Sequence, residues 1–499
     1  METMSNSSPN PRGKRGSLVV IGAGPAGLTA AFEAAQSGWD VSVLEKDPKY
    51  VGGISRTVVH DGYRFDIGGH RFFSKSEQVT NWWRERLPDD FIQVKRMSRI
   101  YYRGRYFDYP LKPMNALKNL GLLTSIGCVA SYFWARVFPK KPELSLEDWV
   151  QNRFGRRLFR IFFKTYTEKV WGIPTSELSA DWAAQRIKGL SLSKAILSAF
   201  SRSPSGGHAV VKTLIDTFSY PRLGPGQMWE KTASDIRIMG GTLTMGTEAK
   251  KIRHSAGRVS SIVARDSANG EKSFSGDQFI VSMPLRETVL AMDPPPPEQV
   301  LAAARGLRYR DFLTVALVVE GANPFPDNWI YIHEPGVKMG RIQNFKNWSE
   351  SMIGRPETTC LGLEYFCFEG DGLWNSSDED LVELGKRELQ ELGLVKAESV
   401  KGGAVVRVEK AYPVYDPGYL ARVAQIRDWL RSLSNLSAVG RNGMHKYNNQ
   451  DHSMMTAMLA VKNLDGGSYN LWNVNTDAEY HEDGSADDRS GRQVPRVIE

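Results

Sequence analysis

The chain has 499 residues, 41% of them hydrophobic and 24% charged, with a formal net charge of +8. This length supports a large core and two or three domains, and the balance excludes a disordered or fibrous chain. Cys128, Cys360 and Cys367 have neither metal-ligand spacing nor an even count, which excludes a disulfide framework or a zinc module and predicts a reducing, cytoplasmic setting.

The first sixteen residues (METMSNSSPNPRGKRG) lack an apolar core and read as a disordered lead, not a secretory signal. Val19–Gly27 (VVIGAGPAG) is a β-branched run, a glycine turn and the start of an Ala-rich helix over Leu28–Gln36. Gly22, Gly24 and Gly27 have the G-x-G-x-x-G spacing that seats a pyrophosphate against a helix N-terminus. Glu45 closes a second apolar strand (Val41–Leu44), placed to take ribose hydroxyls. Together these features predict a dinucleotide site in a βαβ opening over residues 17–60. Gly52-Gly53 with Arg56, then Gly68-Gly69-His70, let the backbone approach a flat ligand and add fixed donors for a diphosphate.

Tyr101–Tyr109 alternates around a glycine as a hairpin does. From Pro113 to about Ser203 the pattern is mostly helical, and Ser145-Leu146-Glu147-Asp148 predicts a capping box. Residues 119–135 carry no charge and fall at the short end for a membrane span, so a buried or interfacial helix is expected and no transmembrane segment. Arg156–Lys164 (RRLFRIFFK) is basic and aromatic, which suits an amphipathic helix or peripheral contact with an anionic membrane at its inner face. Strand character returns over Met239–Val263, with Gly257 in a hairpin and Ala249 closing the strand Thr242–Ala249. Further strands are expected at Phe279–Ser282, Phe312–Val319, Trp329–Ile332 and Gly362–Phe368. Residues 376–393 read as an acidic amphipathic helix, and the last helix starts near Asp451. The basic residues are dispersed without a nucleic-acid-binding module, so the positive charge is assigned to an anionic cofactor and substrate, with no nucleic-acid partner.

The order of G-x-G-x-x-G, acidic residue and G-G-x-x-R resembles that of the GR2-type two-dinucleotide-binding-domain flavoproteins, a group with amine oxidases, phytoene desaturases and protoporphyrinogen oxidase. The resemblance implies FAD and an α/β fold: a Rossmann-like FAD-binding domain with an inserted helical domain and an antiparallel-sheet substrate domain. The FAD domain is expected from residues 17–110, 204–290 and 436–466, the helical domain from 111–203, the sheet-rich domain from 291–435, and a disordered tail over 481–499. Within that group the chain is most similar to the UDP-galactopyranose mutase family. The resemblance rests on Gly68-Gly69-His70, Lys169-Val-Trp-Gly-Ile-Pro-Thr175, Trp182…Arg186 and Tyr447…Asn449-Gln450-Asp451-His452-Ser453.

That resemblance implies interconversion of pyranose and furanose forms of a UDP-sugar, with N5 of the reduced flavin attacking the anomeric carbon. It carries over His70, Arg186 and Arg341 as catalytic. Tyr331, Tyr412, Tyr447 and Asn449 are substrate contacts, with Tyr109 and Trp182 as candidates for the uracil. The cofactor set becomes Gly22, Gly24, Gly27, Glu45, Gly53, Arg56, Gly68, Gly69, Ala249, Arg441, Gln450 and Ser453, with NAD(P)H a candidate reductant. Tyr415 and Tyr419 stand beside Tyr412 as alternatives. The competing reading is an FAD-dependent oxidoreductase of the amine oxidase or desaturase type, acting on an apolar, amine or sugar-lipid substrate.

Overall fold

The computed structural model describes residues 15–109, 111–180, 217–266 and 270–474. At its centre is a five-stranded parallel sheet in the order Leu436–Ala438, Gln278–Val281, Ser17–Ile21, Asp40–Leu44, Thr242–Thr244. Three distant stretches of chain thus build one sheet. The central strands are apolar on both faces because both are covered. Leu18, Val20, Val41 and Val43 pack under the helices Pro25–Gln36 and Gln450–Leu464, while Val19, Ile21 and Phe279 face a second core.

Two boundaries near the glycine turn and the adjoining sheet differ from the sequence reading. The first helix begins at Pro25, not Leu28, since proline suits the first helical position, where no backbone donor is needed. The expected strand Thr242–Ala249 is two strands, Thr242–Thr244 and Thr247–Ser255, broken where Gly246 takes a φ of +64° and the chain changes sheets. Ala249 therefore lies inside a strand of the neighbouring four-stranded sheet. The Gly257 hairpin is present, with Ala256 and Gly257 both at positive φ as a two-residue turn requires.

A seven-stranded sheet stands beyond the parallel one, in the order Val400–Pro413, Tyr309–Glu320, Thr358–Cys367, Arg341–Asn344, Trp329–Ile332, Ser98–Tyr102, Arg105–Asp108. The last two strands are the expected hairpin, and they extend this sheet through parallel pairing with Trp329–Ile332. The sheet is thus drawn from both the 17–110 and 291–435 segments. Tyr309–Glu320 and Trp329–Ile332 run in opposite directions but are separated by two strands.

The helical segment contains the predicted capping box: Asp148 N–H donates to Ser145 Oγ (3.1 Å) and Ser145 N–H to an Asp148 carboxylate oxygen (3.3 Å). Pro113–Leu120 and Leu122–Val137 are separate helices bent at Gly121, and a π-helical turn spans Phe159–Lys164. Among the described residues no single helix is long and apolar enough to cross a membrane.

Asp66 is fully buried and accepts hydrogen bonds from the hydroxyls of Tyr220 and Thr57. Burial pushes its carboxyl up to about 7, against the lowering effect of these two donors. The folded state thus binds a proton that the unfolded state releases above about pH 4, and the Asp66 contribution falls as pH rises from there towards 7. Asp66→Asn removes that slope. Its stability relative to the parent is expected to improve from pH 4.5 to 7.5, by about 4 kcal/mol at most, read by thermal melts across that range.

Candidate active site

A cavity of about 1020 Å³ opens at the carboxyl ends of Ser17–Ile21 and Asp40–Leu44, where ligands bind in open parallel sheets. That volume is at the upper end of the range for ligand pockets and suits a large ligand. Gly22, Gly24, Glu45 and Ala249 line its inner end. Gly22 turns at a φ of +96°, and a Cβ there would lie 2.4 Å from Ser282 Oγ. Gly27 does not line the cavity; it brings the helix so close that a Cβ would fall 1.8 Å from the Gly22 carbonyl oxygen.

Glu45 accepts from the amides of Ala23 (2.6 Å) and Asp47 (2.9 Å), which fixes the carboxylate across the glycine turn. Burial pushes its carboxyl up, and the two amides counter that shift. Gly53 faces Gly24, since a Cβ on Gly53 would lie 3.3 Å from the Gly24 Cα. Arg56 pairs with Asp47, and its buried Nε has no hydrogen-bond partner among the described residues. Asn442 Oδ1 and Gln343 Oε1 are likewise buried without partners. Glycine faces that exclude a Cβ, together with orphaned polar atoms around one cavity, suit a flat dinucleotide with a diphosphate.

Residues from the C-terminal loop also line the cavity. Gly440, at a φ of +85°, brings this loop against Ala26 of the first helix. Arg441 donates through Nε to the Asn448 carbonyl (2.8 Å) and lies over the rings of Tyr447 and Tyr412. Gln450 opens the C-terminal helix and accepts from Trp229 Nε1 (3.2 Å). Asn449 is the N-cap residue of that helix, with its amide on His452 Nδ1 (3.3 Å), and Ser453 N–H donates back to the Asn449 carbonyl (3.0 Å). All four residues line the cavity.

Arg341, Tyr331, Tyr412 and Tyr447 form the far end of the cavity with Arg71 and Trp329. Tyr412 and Tyr447 stack with centroids 5.7 Å apart. Tyr415 and Tyr419 stack on each other, buried and outside the lining residues, which leaves Tyr412 as the tyrosine of that segment facing the cavity. Arg341 donates to Glu364 through Nε (2.7 Å) and Nη2 (2.5 Å), and Gln343 Nε2 donates to the other Glu364 oxygen (2.7 Å). Burial disfavours the Arg341 charge, but Glu364 and the nearby tyrosines hold the guanidinium well protonated. Burial likewise raises the hydroxyl pKa of Tyr412, with Tyr447 adding to the effect, so that hydroxyl remains a donor.

Gly69 and His70 line the cavity between its two ends, whereas Gly68 does not; it turns the loop at a φ of +110°. A Cβ on Gly69 would lie 2.8 Å from Gln343 Nε2. Burial and the Arg441 charge push the His70 imidazole down to about 4, so it is neutral at pH 7. Its Nε2 is 3.3 Å from the Ile67 carbonyl, which accepts from that nitrogen in the Nε2–H tautomer.

Tyr109 is 39% exposed and outside the lining, with its ring 4.9 Å from that of Tyr331 at the rim. Trp182 and Arg186 lie outside the described residues. Sequence reasoning missed Glu364, although a lone charge in the apolar run Leu361–Cys367 is a signal of a buried partner. It also passed over Arg71, beside His70 in the same string. Lys169 of the Lys-Val-Trp string is a strut: its ammonium donates to the carbonyls of Ile332, Glu334 and Met339.

The profile of the family described as flavin-containing amine oxidoreductase matches residues 25–445. Among curated relatives, "Probable UDP-galactopyranose mutase" of Klebsiella pneumoniae is 26% identical over 175 residues, 33% of this chain and 43% of that protein. The 15-cis-phytoene desaturase of Arabidopsis thaliana is 24% identical over 291 residues, covering 54% and 48% of the two chains. The matches to these two relatives span less than half of each relative's length. Among solved structures, reduced UDP-galactopyranose mutase superposes with a TM-score of 0.79 at 22% identity, over 92% of this chain and 98% of that one. Putrescine oxidase bound to putrescine gives 0.61 at 15% identity, over 90% and 99%. Both share the fold.

Proposed function

This chain belongs to the family of flavin-containing amine oxidoreductases, and from that premise we propose that it is an FAD-dependent mutase interconverting pyranose and furanose forms of a UDP-sugar. The observation that carries the reading is the far end of the cavity, where Arg71 and Arg341 gather with three tyrosines. An apolar or amine substrate offers these two guanidinium groups no anion, whereas a nucleotide diphosphate does.

The glycine cradle, Glu45, Arg56, Arg441 and the N-terminus of the helix Gln450–Leu464 would hold FAD, which supplies, when bound and reduced, the nucleophile for the anomeric carbon. The protein's share is binding and orientation. Arg341, steadied by Glu364, presents one face of a fixed fork to the diphosphate and stabilises charge that develops as UDP departs. Tyr331, Tyr412 and Tyr447 add hydroxyl donors with few rotamers. His70, neutral at working pH, adds no charge beside the sugar. Arg186 and Trp182 complete the proposed substrate set, with NAD(P)H as reductant. The three buried free cysteines suit a cytoplasmic reaction.

One observation favours the other reading: Glu364 already balances the charge of Arg341, which leaves less attraction for an anion. An oxidoreductase acting on a less charged substrate follows from that. Titration of the yellow protein with UDP separates the two. The mutase reading expects a saturable change in flavin absorbance; a change with amines or lipid alcohols and none with UDP supports the oxidoreductase.

A further inference from the structure

The helices Pro113–Leu120 and Leu122–Val137 are oriented the wrong way for a water-facing pair. A surface helix of a soluble domain turns its apolar stripe to the core. Here Ser125, Cys128 and Tyr132 are the buried residues, packed towards the helices that follow. Small residues make that contact close: a Cβ on Gly155 would lie 2.6 Å from the Tyr132 amide nitrogen. The outward face carries Leu122, Leu123, Ile126, Phe133, Trp134 and Val137, with Leu123 85% and Trp134 69% exposed. Met114 and Leu117 continue the surface across the bend.

The charges bordering this face are mainly positive. From Tyr109 to Lys141 the chain contains no aspartate or glutamate; Lys118, Arg136 and Lys141 border the apolar residues, while Lys112 and Lys140 pair with Asp108 and Asp148. Lys118 and Arg136 are exposed on the two helices. An apolar stripe with tryptophan and phenylalanine, bordered by lysine and arginine, is the pattern of a helix lying in a membrane interface. Neither helix alone is long and apolar enough to cross a membrane, and the two are bent by 118° at Gly121, a geometry that suits a pair lying in the interface. A two-fold contact with a second copy would set the basic rims against each other.

We propose that this helix pair seats the protein in the surface of an anionic phospholipid bilayer. The seat is rigidly joined to the cavity rim. Asn115 Oδ1 accepts from the Asp108 amide (3.0 Å), and Asn119 Nδ2 donates to the Tyr106 carbonyl (2.8 Å), which ties the first helix to the hairpin carrying Tyr109. Tyr109 touches Tyr331, which lines the cavity, so the helix pair is linked to the cavity wall through this hairpin.

The test is flotation of the full-length, FAD-loaded protein with vesicles of phosphatidylcholine, with and without about a third phosphatidylglycerol. The protein is expected to float with the anionic vesicles, less with neutral ones, and less in high salt. The Leu123→Glu/Trp134→Glu variant should lose at least about tenfold of this binding while keeping its flavin absorbance. Lys118→Glu/Arg136→Glu should lose only the preference for anionic vesicles. Absence of flotation overturns the proposal, as does flotation that the apolar substitutions leave unchanged. A dimer that the same substitutions split into monomers assigns the face to a second copy and overturns it too. Flotation reads no turnover, so it stands or fails apart from the nucleotide-sugar reading.

Discussion

Arg341→Ala is expected to lower turnover by on the order of 10²–10³-fold, the scale for removing one preorganised donor from a developing charge, while the purified protein stays yellow. The same substitution also leaves Glu364, fully buried, facing only Gln343. Breaking one side of a buried pair costs roughly 3–5 kcal/mol, so the variant should melt early as well. The two effects separate in Arg341→Ala/Glu364→Gln, which removes the stranded carboxylate. Thermal stability should recover in the double variant and turnover should not. Recovery of both would mean that Arg341 serves the fold and touches no substrate. A folded but colourless variant would place it in the cofactor site.

Gly27→Ala is expected to do the opposite: the protein loses its flavin. The new methyl group would overlap the Gly22 carbonyl at 1.8 Å, a backbone atom that cannot rotate away, so the helix must leave the turn it is packed against. Overpacking of this kind costs roughly 1–3 kcal/mol or more and displaces the helix N-terminus proposed to receive the diphosphate. The ratio of flavin to protein absorbance in the purified variant should fall at least about tenfold. Gly372→Ala, where a Cβ meets nothing within 4 Å, is the matched control and should purify yellow. A yellow Gly27→Ala would show that the helix adjusts and that the motif is less tight than its geometry.

The glycine-turn end of the cavity was legible because its requirements are local. Gly22, Gly24, Gly27 and Glu45 lie within 24 consecutive residues, and each spacing states a backbone requirement. The far end was legible only through resemblance, because its partners are set by strand pairing. Arg341 and Glu364 are cross-strand neighbours, 23 positions apart in the chain, and nothing near either residue names the other. The choice among Tyr412, Tyr415 and Tyr419 depended on where the strand Val400–Pro413 ends, since the two later rings turn inwards beyond it. The apolar run after Asn119 was visible as composition, yet composition cannot say which face points outwards. That followed only from Ser125, Cys128 and Tyr132 filling the inner side.

The central claim is met most directly by an anaerobic assay. The yellow protein is reduced with dithionite, mixed with UDP-galactopyranose, and the products are separated by chromatography. The account predicts UDP-galactofuranose in the reduced sample and none in the oxidised one, with Arg341→Ala suppressing it. A reduced, UDP-binding protein that forms no furanose from this or other UDP-hexoses would contradict it.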